Sequence, residues 1–318
     1  MKFTKPALTI PEQIAKLKAR SLLIEDDAEA EHYLRFIGYY RLSAYALPLQ
    51  QSAVPGKPFK SGTTFRNILD LYRFDRELRL LTMDAIERIE VAVRTVIVNE
   101  MAVKHGPHWF MDTVHFDASA RNPRHTELLD RLDAEFTIPR GGTRPHRRHH
   151  EVFINYYFDT YTSPYLPPIW MISETLTLGM WSKIFDNLKL PAERKAIAAN
   201  FSIDEQILRN WLHALTYLRN LCAHHARVWN RQMVIKPIIA KKHLSFLKSN
   251  DRFYAIAVVI HELMLRIAPL SHWHERLARL LEQHLFVDLK ALGFSTNWKD
   301  EAFWGLIADS SAPSPATS

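Results

Sequence analysis

Residues 211–231 read WLHALTYLRNLCAHHARVWNR, and the interpretation of the whole chain starts from this stretch. Its apolar residues recur at spacings of three and four, which is the period of an amphipathic helix. No proline or glycine occurs between Ser202 and Pro237. Ser202 and Glu205 also have the spacing of a capping box, in which each side chain binds a free backbone N–H at a helix start. We therefore predict a helix over residues 203–229.

The predicted helix has an apolar side and a polar side. At about 100° per residue, the leucines, the tryptophans and Cys222 gather on the apolar side. Arg219 falls at the edge of that side, where an unpaired guanidinium would be unfavourable. Side chains three or four residues apart on a helix touch, so we expect His224 to share a working surface with Asn220 and Arg227. The polar side as a whole comprises His213, Thr216, Asn220, His224, Arg227 and Arg231.

Helical patterns also extend over most of the remaining chain. From Thr64 to Lys104 the pattern is helical almost without interruption, and it predicts one or two helices that end at Gly106 and Pro107. Only 9 glycines occur in 318 residues, which argues against glycine-rich phosphate loops and against a many-stranded β fold. We predict an all-α fold, a multi-helix bundle that forms a single domain over residues 1–307. Residues 308–318, which are rich in serine, alanine and proline, are predicted to be a disordered tail.

Composition limits the classes of protein that fit this chain. The net charge is +7 and the isoelectric point is near 9.4, a balance that permits a polyanionic partner. The single cysteine excludes an internal disulfide and fits a reducing compartment. No apolar leader segment is visible, and the longest apolar run, residues 253–260, is far shorter than the roughly 18 residues of a membrane span. We expect a cytoplasmic protein that does not enter a membrane.

A basic loop is predicted between two helices, where residues 139–150 read PRGGTRPHRRHH. Basic side chains of this kind neutralise RNA phosphates in many complexes. A solvated surface loop has the same composition, so both interpretations stay open. The RNA-binding interpretation assigns the contacts to Arg140, Arg144, Arg147 and Arg148.

Two interpretations of residues 219–225 involve no catalysis on RNA. In the structural one, Arg219 is paired with a carboxylate such as Glu90, although Glu90 and Arg94 also have the i, i+4 spacing of an ion pair. In the second, Cys222 and the adjacent histidines bind a metal ion. Neighbouring helical residues point about 100° apart, and Cys222 faces the apolar side. We therefore expect no metal site here.

The third interpretation is phosphodiester chemistry on RNA. A histidine such as His224 is suited to moving protons near neutral pH. Arg219 would hold a phosphate and stabilise the charge that builds on it, and Asn220 would orient either group. The reaction needs both a general base and a general acid, and one histidine per chain cannot be both at once. Two chains related by a two-fold axis would supply one histidine for each role. This chemistry needs no metal or other cofactor.

The residues of this stretch carry a resemblance to a known superfamily. Arg219, Asn220 and His224 resemble the R-x4–6-H motif of HEPN proteins, which are all-α and in many cases metal-independent ribonucleases. The longer string LRNLCAHHARVWNR resembles the abortive-infection proteins of the AbiD/AbiF type, a bacterial anti-phage family. Supporting blocks, within a resemblance that covers about residues 10–300, are FIGYYRLSAY at 36–45, LYRFDRELR at 71–79, AIERIEVAVR at 85–94 and LTLGMWSKIFDNL at 176–188.

The resemblance implies an HEPN-type domain that forms a homodimer, so that two motifs share one cleft. It implies that Arg219 contacts the scissile phosphate of an RNA substrate, that Asn220 is the polar residue following it, and that His224 is the general acid/base. A regulatory RNA, an inhibitor or another trigger of unknown kind is also compatible with such an effector. Auxiliary roles fall to His225, which also fits the motif spacing, and to Arg227 and Glu90.

A second hypothesis places the chain in a different class. In it the protein is a non-catalytic module that binds a structured RNA in the same cleft. A third, in which the chain is only a helical scaffold, predicts that loss of Arg219 mainly lowers stability.

Overall fold

The computed structural model describes residues 2, 4, 6–119 and 125–305, and its longest element is a single helix, α4 (Phe65–His105). Thr64 caps its start by accepting a hydrogen bond from the backbone N–H of Asn67. Gly106 ends it with a φ of 85°, a conformation that glycine adopts without steric strain. The uninterrupted helix confirms the pattern predicted for residues 64–104, and the other long helices pack around it.

The all-α prediction is confirmed for the residues that the structure describes. They contain no β-strand, and pairing between extended segments is limited to isolated bridges. The predicted tail, residues 308–318, lies outside the described residues. The helices besides α4 are α1 (Ile10–Lys18), α2 (Asp27–Phe36), α3 (Tyr39–Ala46), α5 (His125–Glu135), α6 (Val152–Thr160), α7 (Ile169–Ile172), α8 (Leu178–Asn187), α9 (Pro191–Ala199), α10 (Glu205–Ala223), α11 (Phe253–Ile267), α12 (Trp273–Gln283) and α13 (Leu289–Leu292).

Helix α10 is the predicted central helix, and it packs between α4, α8, α9 and α11. Its apolar side is buried as predicted, and Cys222 lies there with the leucines. Trp211 is almost fully buried, and its Nε1–H donates a hydrogen bond of 2.9 Å to the carbonyl of Ile238. That bond holds the loop after α10 against the helix from which the chain has just come.

The predicted bounds of this helix, 203–229, are wrong at both ends. At the start, Asp204 is the capping residue and accepts a hydrogen bond from the N–H of Gln206 at 2.9 Å. Ser202 has a φ of 55° and lies outside the helix, so the predicted capping box with Glu205 does not form.

At the other end, α10 stops at Ala223 in a Schellman motif. The N–H of His225 bonds to the carbonyl of Cys222 at 3.0 Å, and the N–H of Ala226 bonds to that of Leu221 at 2.8 Å. His225 has a φ of 55°, in the left-handed region that this motif usually fills with glycine. Because a histidine holds that position, the sequence carries no ordinary stop signal.

A buried carboxylate explains why the chain turns here. Asp75 of α4 is fully buried and paired with Arg79 one turn further along the helix. It accepts a hydrogen bond of 2.6 Å from the hydroxyl of Tyr45. It also accepts bonds from the backbone N–H groups of Val228, at 3.1 Å, and Trp229, at 2.6 Å. If the helix continued past Ala223, the N–H groups of Val228 and Trp229 would form hydrogen bonds within the helix. They could not then bond to Asp75, so the predicted longer helix and the Asp75 network exclude each other.

Within the described residues, no single helix is long and apolar enough to cross a membrane. Helix α11 and the segment Pro269–Gln283 meet that test of length and composition only when taken together, and they are bent by 116° relative to each other. Nearly all of α11 is buried inside the bundle.

Replacement of Asp75 tests the network. We expect Asp75→Ala to lower the free energy of unfolding by about 3–5 kcal/mol, because it leaves the buried Arg79 guanidinium unpaired. Urea denaturation followed by circular dichroism measures this change. The matched control is Asp70→Ala on the same helix, which breaks an exposed pair with Arg73 and should change the same quantity by less than about 1 kcal/mol. Equal effects of the two variants would contradict the assignment.

Candidate functional site

The polar side of α10 borders a groove of about 620 Å³. Helix α8 forms the opposite wall of the groove. Arg131 of α5 and Ile238 complete the lining of the groove. From α10 the lining residues are Gln206, Arg209, Asn210, His213, Thr216 and Asn220, and from α8 and the residue before it they are Thr177, Gly179, Met180, Ser182, Lys183 and Asp186.

The two walls approach each other closely at Gly179. A Cβ atom at this position would lie 3.2 Å from Cγ2 of Thr216, which is tighter than an ordinary contact. Further along the groove, Arg209 of α10 and Asp186 of α8 form an ion pair. Gly179 and the Arg209–Asp186 ion pair together fix the spacing between α8 and α10.

The groove is electrostatically positive. The charge of Arg209 is compensated by Asp186, but Arg131 and Lys183 are exposed and have no ion-pair partner among the described residues. His213 is exposed on the same surface. Basic side chains without acidic partners are suited to neutralising phosphate groups, so the groove has the charge and shape expected for part of a nucleic-acid strand.

Arg219 is half-buried, and its Nε is buried without a hydrogen-bond partner. The expected partner is engaged elsewhere, because Oε1 of Glu90 accepts a hydrogen bond of 2.6 Å from the N–H of Leu178 at the start of α8. Arg94 instead pairs with Glu174, at 2.7 Å. Pairing of Glu90 with Arg219 and pairing of Glu90 with Arg94 are therefore both wrong, and Glu90 serves to cap α8.

His224 and His225 are exposed and lie beyond the end of α10. The carbonyl of His225 accepts a hydrogen bond of 2.7 Å from Arg41 of α3, which fixes the backbone of the turn and leaves the imidazole free. Neither histidine lines the groove, whereas Asn220 does. His224 is the capping residue at the end of α10, and its N–H bonds to the carbonyl of Asn220 at 3.0 Å. These two residues therefore stay one helical turn apart as predicted, and the chain leaves the helix after His224.

Arg227 does not lie on the predicted surface. It is half-buried and donates hydrogen bonds to the carbonyls of Ala44 and Asn230. Burial, and to a smaller extent the charge of Arg231, lower the pKa of its guanidinium from the usual value. Its observed contacts are with carbonyls of the fold, so Arg227 fixes the segment after the turn to α3.

Cys222 lies in the core next to the Asp75–Arg79 pair. Burial raises the pKa of its thiol to about 12, and the nearby charge of Asp75 acts in the same direction. A thiol that stays protonated is a poor metal ligand, because the thiolate is the form that binds. The geometry therefore gives Cys222 a packing role.

The basic loop joins α5 to α6, and all four of its predicted RNA-binding arginines are exposed. Arg148 is paired with Asp159 at 2.9 Å. The other three have no ion-pair partner in the described part of the chain, namely Arg140, Arg144 and Arg147. The loop follows the helix that carries Arg131, but none of its own residues lines the groove.

Sequence reasoning missed the opposite wall of the groove. Gly179, Lys183 and Asp186 belong to the block LTLGMWSKIFDNL. In the sequence this block stands out only by its resemblance to abortive-infection proteins. Lys183 and Asp186 are three residues apart, the spacing of neighbours on a helix face. That spacing indicates a charged face on α8, but only the packed structure shows that this face lies opposite α10.

The fold and site define a class of all-α proteins in which a central helix and its neighbour bound a basic groove. One protein-family model, described as Abi-like protein, matches residues 32–230, more than half of the chain. The chain therefore belongs to the Abi-like protein family, which connects it with abortive-infection defence. The match extends from α2 through Asp75 and the groove to the turn after α10. No curated protein and no solved structure matches the chain.

The close approach at Gly179 gives a test of the groove wall. We expect Gly179→Ala to forfeit the roughly 1 kcal/mol that alanine normally gains over glycine in a helix, because the new methyl group crowds Thr216. Thr216→Ser removes the crowding carbon and keeps the hydroxyl that bonds to the carbonyl of Leu212. The double variant should therefore lose less stability than the sum of the single variants. Strict additivity in urea denaturation would show that the helices are not in contact there.

Proposed function

We propose that this chain is an abortive-infection effector of the AbiD/AbiF type and an HEPN endoribonuclease that needs no metal for cleavage. In this proposal it acts on RNA in the cytoplasm of an infected bacterial cell and is toxic to that cell. Family membership supports the defence role. The motif residues Arg219, Asn220 and His224 support the chemistry.

The observation that carries the proposal is the state of Arg219. Its guanidinium is half-buried and its Nε has no hydrogen-bond partner. The carboxylate expected to pair with it, that of Glu90, caps another helix. An uncompensated charge in such a place is unfavourable. An anion from outside the chain would satisfy it, and a phosphate fits the two-pronged geometry of a guanidinium.

The proposed reaction uses the ribose 2′-hydroxyl as the nucleophile. A neutral imidazole removes the hydroxyl proton, the 2′-oxygen forms a bond to phosphorus, and the bond from phosphorus to the 5′-oxygen breaks. An imidazolium donates a proton to the leaving 5′-oxygen. The products are a 2′,3′-cyclic phosphate and a 5′-hydroxyl, and Arg219 stabilises the charge on the phosphoryl oxygens in between.

A homodimer supplies the second histidine. His224 is exposed at the end of α10, where a second chain would be able to approach it. Two copies related by a two-fold axis would bring two Arg219–His224 motifs to one cleft. One His224 would act as the base and the other as the acid.

Variants of the two motif residues test the proposal. We expect His224→Ala to reduce RNA cleavage by about 10²–10⁴-fold and Arg219→Ala by about 10²–10³-fold. Both should relieve growth arrest on induced expression. The measurements are growth, total RNA integrity and the appearance of 2′,3′-cyclic phosphate ends with the purified protein and a chelator present.

The matched control is His225→Gly. Glycine fits the left-handed conformation of this residue, so the variant removes the imidazole without straining the turn. Full activity of His225→Gly beside an inactive His224→Ala variant supports the assignment. A His224→Ala variant as toxic as wild type, or a wild type that leaves RNA intact, would overturn it.

A second candidate function is RNA binding without cleavage. One observation favours it, because the groove is lined by Asn220, Arg131 and Lys183 but by neither Arg219 nor His224. A strand held in this groove would be gripped without reaching the motif of the same chain. The two candidates differ in the effects of Arg219→Ala and Lys183→Gln. In an enzyme, Arg219→Ala should abolish turnover. In a module that binds RNA in the groove, Arg219→Ala should leave the RNA affinity unchanged and Lys183→Gln should lower it.

The basic loop is tested by the salt dependence of RNA affinity. Three phosphate contacts contribute a slope of about −2 to a plot of log affinity against log salt for a single strand. Replacing Arg140, Arg144 and Arg147 with glutamine should remove that much of the slope.

The control for the loop removes the same charge elsewhere. It replaces three exposed lysines on other helices and loops, Lys195, Lys241 and Lys290, with glutamine. If both triple variants flatten the slope equally, the loop has no specific contact with RNA.

A further inference from the structure

Three side chains of types that usually bind metals converge at a place that is not part of the groove lining. His105 lies in the last turn of α4, His115 in the short turn that follows, and Glu193 in the first turn of α9. Their ligand atoms all lie within 4.8 Å of one another. They are separated in sequence and belong to three different elements, so no local sequence motif indicates that they meet.

The backbone holds these elements together. The carbonyl of His115 accepts a hydrogen bond of 2.9 Å from the N–H of Lys189, just before α9. The next residue, Phe116, forms an isolated antiparallel bridge with Leu188. The position of His115 relative to the start of α9 is therefore set by main-chain contacts and does not depend on the cluster itself.

The Glu193 carboxylate is within ion-pair distance of His105 but has no hydrogen-bond partner among the described residues. The Glu193 side chain is only 5% exposed, yet neither of its carboxylate oxygens has a hydrogen-bond partner. Nε2 of His105 lies 2.7 Å from Oε1 of Glu193 without the geometry of a hydrogen bond. The ring centroids of His105 and His115 are 4.2 Å apart. A buried carboxylate that faces two imidazoles without bonding to either has the arrangement of ligands around a common centre.

The surroundings also favour a cation. The C-terminal end of a helix carries partial negative charge, and His105 ends a helix of 41 residues. The carboxylate of Glu193 adds a full negative charge in a nearly buried position. Two imidazole nitrogens and one carboxylate oxygen form a ligand set that zinc and similar divalent ions prefer.

We propose that His105, His115 and Glu193 form a binding site for a divalent transition-metal ion of the zinc type. Ligand atoms on a tetrahedral zinc ion are roughly 3.3 Å apart, so side-chain rotations suffice to close the site. His105 and His115 are partly exposed, and water completes the coordination. The ion connects the end of α4 to the start of α9 and stabilises that junction.

This site is separate from the proposed ribonuclease chemistry. At 1.5 Å per residue, about 45 Å of helix separates His105 from Asp75, which holds the turn after the motif. The absence of a metal site that we expected around Cys222 concerns other residues, because the present site contains neither Cys222 nor the histidines beside it. Metal binding at α9 is therefore compatible with RNA cleavage that needs no metal. An experiment is able to disprove one of these two proposals without affecting the other.

The test uses the full chain without a polyhistidine tag, stripped with a chelator and then titrated with Zn²⁺ by calorimetry and with Co²⁺ by visible absorption. We expect a single ion per chain, a tetrahedral Co²⁺ spectrum, and a melting temperature that rises with Zn²⁺. His115→Ala and Glu193→Gln should each weaken binding by about tenfold or more. Glu193→Gln keeps the side-chain volume, and circular dichroism checks that both variants fold.

The matched control is His32→Ala, which removes an exposed histidine from α2 and should bind the ions like wild type. A wild type that binds neither ion would overturn the proposal. Equal binding by wild type and by folded Glu193→Gln and His115→Ala variants would also overturn it, because the ion would then be held elsewhere.

Discussion

The carboxylate of Asp75 accepts hydrogen bonds from Tyr45, Val228 and Trp229 while it is paired with Arg79. Segments far apart in sequence therefore meet at one buried charge. A buried carboxylate is tolerated only when its lone pairs are satisfied, so each of these donors is needed where it is. The network fixes α3 against α4 and fixes the chain after α10 against both.

The end of α10 follows from that constraint. The amides of Val228 and Trp229 bond to Asp75, Arg227 bonds to Ala44, and Arg41 bonds to His225, so the chain is drawn away from the helix axis. The turn separates the motif into two environments. Arg219 stays half-buried within the helix, and His224 is placed in solvent at its end. His224 keeps a helical hydrogen bond to Asn220, so the chain changes direction only at His225.

Helix α4 organises two regions of different character. In its first third, Asp75 supports the turn after α10, and at its end His105 joins a cluster of side chains with α9. Between them, Glu90 caps α8 and thereby sets one wall of the groove. Residues on this one helix therefore position the basic groove, the exposed histidine and the proposed metal site, which explains why a continuous helix of 41 residues is maintained.

The sequence by itself determined the helical class, the helical pattern over residues 64–104 and the apolar side of α10, because these depend on local periodicity and on capping. That residues 64–104 form one continuous helix was seen only in the structure. It also marked Arg219, Asn220 and His224 by composition. Tertiary structure decided the end of α10, the roles of Arg227 and Glu90, and the wall opposite Asn220. The physical reason is that each of these depends on a hydrogen-bond partner or a neighbour from a distant segment. No local pattern shows that the amide of Val228 bonds to Asp75 rather than to its own helix.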